Sequence, residues 1–188
     1  RAVGAGYQFF SWDAELCISR HANPPPQPDF DIILNRDRTG LNSNNKPSRL
    51  YSKLRDNLEF RVRFGDRVHQ HFFNGGVLST EKVLQRWIAR RDQVWSAIVA
   101  ESARWGDFRR DVLQGGNNTP NQYDLFHRDK HYVDHQHWLL QTYFPQRGDI
   151  VLNQFRNRQL YPNLSAPEFS MHGGSVESGF TKLVENNI

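Results

Sequence analysis

The chain of 188 residues is long enough for one domain with a sizeable core, and its 37% hydrophobic and 23% charged residues are ordinary for a soluble protein. Its formal net charge of +4 comes from 24 Lys and Arg against 20 Asp and Glu, a bias too mild to indicate a dedicated nucleic-acid binder. A single cysteine, Cys17, excludes an internal disulfide, and no apolar run reaches the roughly 18 to 20 residues of a membrane helix.

The first predicted element is a short strand from Tyr7 to about Trp12, which leads into two acids, Asp13 and Glu15. Residues two apart in a strand point to the same face, so both carboxylates can meet one cation. Paired carboxylates suit a hard metal such as Mg²⁺, which often shares its oxygen ligands with substrate phosphates. On the spacing alone, the favoured interpretation is an edge strand with its aromatic residues inside and its acids in solvent, because isolated Asp-x-Glu matches are common by chance.

A polar loop is predicted after the proline-rich run at positions 24–28. It is preceded by an apolar segment, Ile32 to Leu34, that is short enough for a buried strand or a turn. From Asn35 to Pro47 the sequence is polar and rich in turn-forming residues, which is typical of a surface loop. Long loops on a rigid scaffold often hold ligand sites, so this loop is a candidate binding segment.

Two helices are predicted after this loop. Ser48 is a candidate cap for a helix that ends at about Asp56, and a second helix covers Leu58 to Phe73. The second helix carries an apolar stripe at spacings of four, formed by Phe60, Phe64, Val68 and Phe72. Asn74-Gly75-Gly76 ends it, because glycine accepts the left-handed conformation of a helix C-cap.

A long helix is predicted from its cap at Ser79 to about Trp105, with Glu81 in the first turn, where the helix dipole favours an acid. Its apolar residues recur in pairs: Val83/Leu84, Trp87/Ile88, Val94/Trp95 and Ile98/Val99. This repeat predicts a helix that faces the core, and the arginines between the pairs indicate a solvated face.

The last part of the chain is predicted to be helical before it changes character. After a loop from Gly115 to Thr119, a helix runs from His131 to Tyr143 and ends at Pro145. Proline is common in the first turn of a helix, so Pro145 also starts the next one. The apolar residues expected to be buried there are Ile150, Val151, Phe155 and Leu160. Tyr161-Pro162 closes this helix, and the composition from Ser165 on indicates a linker followed by a β-rich segment.

Three histidines, His127, His131 and His135, lie four residues apart, which aligns them on one face of a helix. A zinc site needs three or four converging ligands, whereas positions i and i+8 are about 12 Å apart along a helix axis. One cation therefore cannot reach both ends. Surface or interfacial histidines are the favoured interpretation, and a zinc site of His131, His135 and an outside ligand is the alternative.

Six segments of the chain carry a resemblance to a known family: Phe9-Phe10-Ser11-Trp12-Asp13-Ala14-Glu15, Pro47 to Tyr51, Asn57 to His69, His71 to Gly76, Ala100 to Asp107 and Tyr143 to Arg147. In this order and spacing they resemble the spore coat protein H (CotH) kinase family, in its large bacterial versions joined to β-rich accessory domains. On this resemblance, residues 1–162 are the C-terminal portion of a CotH kinase-like domain. Residues 163–188 are a linker and the truncated start of an accessory β-sandwich.

The resemblance implies a mainly α fold with a short β segment at the N-terminus, the helical C-terminal lobe of an atypical protein-kinase-like fold. It also implies transfer of the γ-phosphoryl group of ATP to side chains of a protein substrate, with Mg²⁺ bridging phosphate oxygens. Asp13 then corresponds to the metal-holding acid, and Glu15 occupies a second acidic position. Asn42 and Arg49 are expected beside the nucleotide, and an extracellular or cell-surface location is expected for the whole protein.

Two features depart from that family. The nucleotide-gripping lobe and the catalytic-loop acid, which precede the Trp-Asp motif in the family, have no counterpart here, and the region from Gly115 to Asp129 is unusually polar. The chain also opens with Arg1 in the middle of what looks like a structural element, so it is interpreted as a fragment that is inactive as a kinase by itself. The alternative class is a non-catalytic structural or cell-surface interaction module that kept the fold.

Overall fold

The computed structural model describes residues 18, 30–44, 46–111, 125–164, 168–169, 175, 177–179 and 184–185. Within them the protein is mainly helical, as the sequence predicts. The α-helices are α1 Phe30–Asn35, α2 Pro47–Leu54, α3 Leu58–Phe72, α4 Thr80–Val94, α5 Ala97–Trp105, α6 Phe108–Asp111, α7 Val133–Trp138 and α8 Phe144–Asn157. Two π-helical turns are π1 Arg128–Tyr132 and π2 Leu139–Tyr143. Strands β1 Glu168–Phe169 and β2 Val184–Glu185 pair antiparallel.

Two predicted elements lie outside the described residues: the strand from Tyr7 to Trp12 and the loop from Gly115 to Thr119. The chain divides into two units. The first unit comprises Arg1–Arg38 and His71–Val151, and the second comprises Thr39–Gln70 and Leu152–Ile188. Among the described helices, none combines the length and the apolar character that crossing a membrane requires.

The core of the first unit gathers around Leu139, whose side chain is fully buried beside Ile33, Leu34 and Tyr143. Trp87 of α4 packs against this cluster. Its indole Nε1–H donates a hydrogen bond of 2.8 Å to Oε1 of Gln136, a side chain in α7 that is only 4% exposed. Because a buried amide oxygen without a partner is costly, this bond fixes α4 on α7.

The segment from Ile32 to Leu34 is helical, so the predicted strand or turn is wrong. Ile33 and Leu34 are buried in α1, a helix of only six residues. Its C-terminal end is held by Arg147, whose guanidinium donates to the carbonyl oxygens of Leu34 at 2.5 Å and Arg36 at 2.8 Å. Short apolar runs do not distinguish helix from strand by periodicity, and here a partner distant in sequence stabilises the helix.

Helix α2 begins one residue earlier than the predicted cap. Lys46 is the N-cap and Pro47 the first residue, where a missing N–H costs nothing. Ser48 therefore lies inside α2, and its Oγ accepts a hydrogen bond of 3.2 Å from the backbone N–H of Ser43. The helix ends at Leu54 rather than near Asp56.

Helix α3 matches its prediction closely. It spans Leu58–Phe72, and the positive φ angles of Asn74 (52°) and Gly75 (72°) end it in the left-handed region. Three residues of its apolar stripe, Phe60, Phe64 and Val68, belong to the second unit. The ring of Phe64 lies edge-on to that of Phe155 at 5.1 Å, and Val68 is buried. The predicted burial of Leu160 is confirmed, at 1% exposed.

The predicted long helix from Ser79 to Trp105 is wrong as a single, core-facing helix. Its start is confirmed at Ser79, but α4 ends at Val94 and α5 begins at Ala97. At the break the N–H of Trp95 bonds the carbonyl of Asp92, three residues back. None of the residues in α4 or α5 is buried, and Ile88, Trp95 and Val99 are exposed. The stripe is present, but nothing in the described residues covers it along its whole length.

The predicted helix end at Pro145 is only half right. Pro145 lies in the first turn of α8, as expected, but helical structure continues without a gap from Arg128 to Asn157. The N–H of Phe144 bonds the carbonyl of Leu139, five residues back, which is π-helical geometry. Proline supplies no N–H, and the wider turn before it lets the helix continue instead of breaking.

Candidate functional site

The structure brings together two of the four predicted site residues. Arg49 Nη1 donates a hydrogen bond of 3.1 Å to Oδ1 of Asn42, and both side chains are exposed. The predicted metal ligands, Asp13 and Glu15, lie outside the described residues. The loop between Asn42 and Arg49, here called the Asn42–Arg49 loop, is therefore the described part of the predicted nucleotide site.

Helix α2 fixes both ends of this loop. On its N-terminal side, the carbonyl oxygen of Thr39 accepts hydrogen bonds from Tyr51 Oη at 3.2 Å and from Arg55 Nη1 at 2.9 Å. Across the loop, the N–H of Ser43, near its N-terminal end, donates a hydrogen bond to Oγ of Ser48, near its C-terminal end. Side chains on successive turns of α2 thus hold a loop that the sequence alone marks only as polar.

An aromatic cluster supports α2 from below the loop. The ring of Tyr51 lies 6.5 Å from that of Phe60 and 6.4 Å from that of Phe64. The guanidinium of Arg55 lies over the same tyrosine ring at 5.2 Å, a cation–π contact. Because Tyr51 is packed by two phenylalanines and capped by a cation, the hydroxyl that bonds Thr39 is held in place.

The Asn42–Arg49 loop is suited chemically to an anion. Arg49 carries five N–H donors in a planar fork, and the described structure uses one of them on Asn42. No carboxylate among the described residues forms an ion pair with Arg49. The remaining donors match the oxygens of a phosphate or carboxylate, which arginine binds in two-pronged geometry.

The histidine cluster does not converge on a single point. The backbone N–H of His127 donates to Nδ1 of His131 at 3.2 Å, and the His131 ring stacks on Phe126 at 4.5 Å. His135 instead donates from Nε2 to the carbonyl of Ile18 at 3.1 Å. In the described part of the chain, no group of three His, Cys, Asp or Glu side chains is placed to hold a metal ion.

Two groups near these histidines, Asp129 and Tyr132, have pKa values that are shifted by neighbouring charges or by burial. The hydrogen bond from Arg128 holds the pKa of Asp129 below its usual value. Burial raises the pKa of Tyr132, with Arg91 opposing the change and Asp92 adding to it. Neither group lies in the Asn42–Arg49 loop, so these shifts reflect local packing and do not identify an acid or base there.

A histidine–tyrosine pair in the second unit was missed by sequence reasoning. His69 Nδ1 and the Tyr161 hydroxyl share a hydrogen bond of 2.9 Å, their rings are nearly parallel, and the Arg156 guanidinium lies over the tyrosine ring at 5.5 Å. The pair joins α3 to the turn after α8. No local pattern could reveal it, because the partners lie 92 residues apart.

Alkaline pH is expected to weaken the fold through Tyr161. Burial raises the pKa of its hydroxyl, with Arg156 opposing the shift, so the folded state favours the neutral phenol. This contribution to the unfolding free energy is complete below the unperturbed pKa of 10.0 and is lost as pH rises through the higher folded value. The fall in melting temperature between neutral pH and a pH above 10.0 should be smaller for Tyr161→Phe than for the wild type. Equal losses would contradict this role.

Comparisons with known proteins returned no match. No family model, no curated protein and no solved structure matches the chain.

Proposed function

We propose that this chain is the helical C-terminal part of a phosphotransferase resembling the CotH kinases, in which Mg²⁺ and ATP supply the phosphoryl group for side chains of a protein substrate. The observation that supports this most directly is the Asn42–Arg49 pair. The resemblance predicts both residues beside the nucleotide, and their side chains lie in hydrogen-bond contact. An exposed arginine oriented by an amide oxygen fits a phosphate group of ATP.

The division of labour proposed here places metal and nucleotide on different segments. Asp13 would hold Mg²⁺, and Glu15 would ligate it or orient its neighbour, since hard cations take carboxylate oxygens. Arg49 would neutralise phosphate charge, and phosphoryl transfer depends mainly on such positioning and neutralisation. The mainly helical fold of the described residues fits a C-terminal lobe of this kind.

Calorimetric titration of ATP, with and without Mg²⁺, tests the proposal in protein that carries its upstream sequence. Binding should require Mg²⁺, disappear in Asp13→Ala, and weaken about tenfold or more in Arg49→Ala, because a charged hydrogen bond contributes roughly 1.5–3 kcal/mol. The matched control is Arg63→Ala, since Arg63 is an exposed arginine that pairs with Glu59 at 2.6 Å outside the loop. Arg63→Ala should bind as the wild type does.

Absence of ATP binding by the folded, extended protein would contradict a kinase function. The alternative is a non-catalytic interaction module with the same fold, and one observation favours it. The segment of α4, α5 and the break between them exposes Ile88, Trp95 and Val99, large apolar side chains of the kind that contact surfaces use.

A further inference from the structure

Helix α2 places polar groups on its inward side and exposes leucines to solvent. Its inward side carries polar groups, with Ser52 buried and Tyr51 and Arg55 half-buried on the Thr39 carbonyl. Its outward side carries leucines, with Leu50 at 52% and Leu54 at 38% exposed. Large apolar side chains on the solvent side of a helix indicate a contact surface, because water is a poor environment for them.

Cations lie between these leucines. The name α2 basic face is used here for five exposed residues at positions i, i+3, i+4, i+7 and i+8, the spacing of one helix face: the N-cap Lys46 and, within α2, Arg49, Leu50, Lys53 and Leu54. They span about 12 Å along the helix axis at 1.5 Å per residue. No acid occurs within α2, and none of the three cations forms an ion pair with a described residue.

We propose that the α2 basic face docks on an anionic lipid surface, with Leu50 and Leu54 entering the headgroup boundary and Lys46, Arg49 and Lys53 contacting lipid phosphates and carboxylates. Interfacial helices combine apolar side chains that enter the headgroup boundary with lysines and arginines, whose apolar stems can lie beside them while their charges stay at the headgroups. Charge complementarity selects the partner, since three unpaired cations on one short face attract an anionic surface.

Two other partners fit this face less well. Proteins bind nucleic acid through cations that contact phosphates and aromatic side chains that stack on bases, whereas the residues between the cations here are leucines. An acidic peptide helix commonly lies in an apolar groove built from more than one element, whereas the cations and leucines here all belong to α2 and its N-cap. A bilayer surface needs only one such helix. The proposed contact is peripheral, and it shares Arg49 with the proposed nucleotide site, so the variants that test it leave Arg49 unchanged.

Vesicle flotation of the whole chain tests the inference. The chain should float with vesicles of phosphatidylcholine mixed with phosphatidylserine, remain unbound with phosphatidylcholine alone, and be released by raising the salt concentration. Lys46→Gln with Lys53→Gln should weaken binding about thirtyfold, because each cation near an anionic surface contributes to affinity. Leu50→Ser with Leu54→Ser should weaken it about tenfold or more.

Matched controls separate the α2 basic face from general stickiness and charge. Val77→Ser with Leu78→Ser removes two exposed apolar side chains of the first unit, which are 53% and 45% exposed. Arg67→Gln with Arg90→Gln removes two exposed cations outside α2. Both controls should float as the wild type does, and far-ultraviolet circular dichroism should be unchanged in all variants.

Several outcomes would overturn the inference. Binding to neither vesicle, equal binding to both, or equal losses in the α2 variants and the controls would each do so. An acidic leucine-rich peptide or a single-stranded oligonucleotide that binds through α2, when vesicles do not, would replace the lipid by that partner. Because Arg49 is unchanged in the test variants, loss of flotation with intact Mg²⁺-ATP binding would separate this surface from the proposed nucleotide site.

Discussion

Gly106→Ala is expected to lower the free energy of unfolding by about 3 kcal/mol or more, since overpacking against rigid backbone exceeds the usual cost of an added methyl group. A Cβ at Gly106 would collide with the backbone oxygens of Phe126 and Ser102, neither of which can rotate away. The same glycine is tied to Phe126, whose N–H donates to the Gly106 carbonyl at 2.9 Å. Its φ of −61° is ordinary, so the requirement is for space and not for conformation.

Gly148→Ala is the matched control for this substitution. Gly148 lies inside α8, and the nearest atom to an added Cβ is Thr80 Oγ1 at 3.7 Å, an ordinary contact. Alanine there should raise the unfolding free energy by roughly 0.5–1 kcal/mol, because glycine is the poorer helix former. Urea unfolding followed by tryptophan fluorescence gives both values, since all five tryptophans belong to the first unit. Similar midpoints for the two variants would contradict the close contact at Gly106.

Local patterns in the sequence predict those elements whose limits are local in origin. Helix α3 ends where Asn74 and Gly75 adopt positive φ, and glycine announces this conformation in any context. Its apolar stripe lies on one face because the period of 3.6 residues sets which side chains face the same way, and on that face Val68 is buried and the phenylalanines are half-buried. The start of α4 at Ser79 follows for the same reason, although its side chain makes no cap hydrogen bond.

Tertiary contacts decide the elements that the sequence misjudges. The helical state of α1 depends on Arg147, more than a hundred residues away, so Ile32 to Leu34 alone could not reveal it. The apolar repeat of α4 and α5 predicts burial, but burial needs a covering partner, and periodicity says nothing about one. Continuation of the helix through Pro145 depends on a π turn, which has no pattern of its own in the sequence.

The candidate site divides in the same way. The polar composition of the loop marks it as a binding segment, and the resemblance selects Asn42 and Arg49 within it. Their direct hydrogen bond follows from the turn that Ser43 and Ser48 close, which depends on where α2 starts. The sequence does not reveal which side of α2 faces inward, because polar residues are normally expected on the solvent side of a helix. The structure shows it, since Tyr51 and Arg55 both donate hydrogen bonds to the Thr39 carbonyl.

Leu139→Ala is expected to lower the unfolding free energy by about 2–5 kcal/mol, through lost burial and the cavity left behind. Leu139 is fully buried at the centre of the cluster with Ile33, Leu34 and Tyr143. It also lies in π2, where its carbonyl accepts the N–H of Phe144. That bond is made by the backbone, so alanine preserves it, and the loss should measure packing alone.

The control for this prediction is Leu125→Ala, because Leu125 belongs to the same unit, is 47% exposed and should change the unfolding free energy by less than about 0.5 kcal/mol. Tryptophan fluorescence during urea unfolding again reports on the first unit. A loss for Leu139→Ala as small as that for Leu125→Ala would place the core elsewhere. If instead the loss of unfolding free energy is large and its slope with urea concentration is unchanged, the loss is explained by the packing of the Leu139 side chain. The π turn then serves to place this side chain in the core.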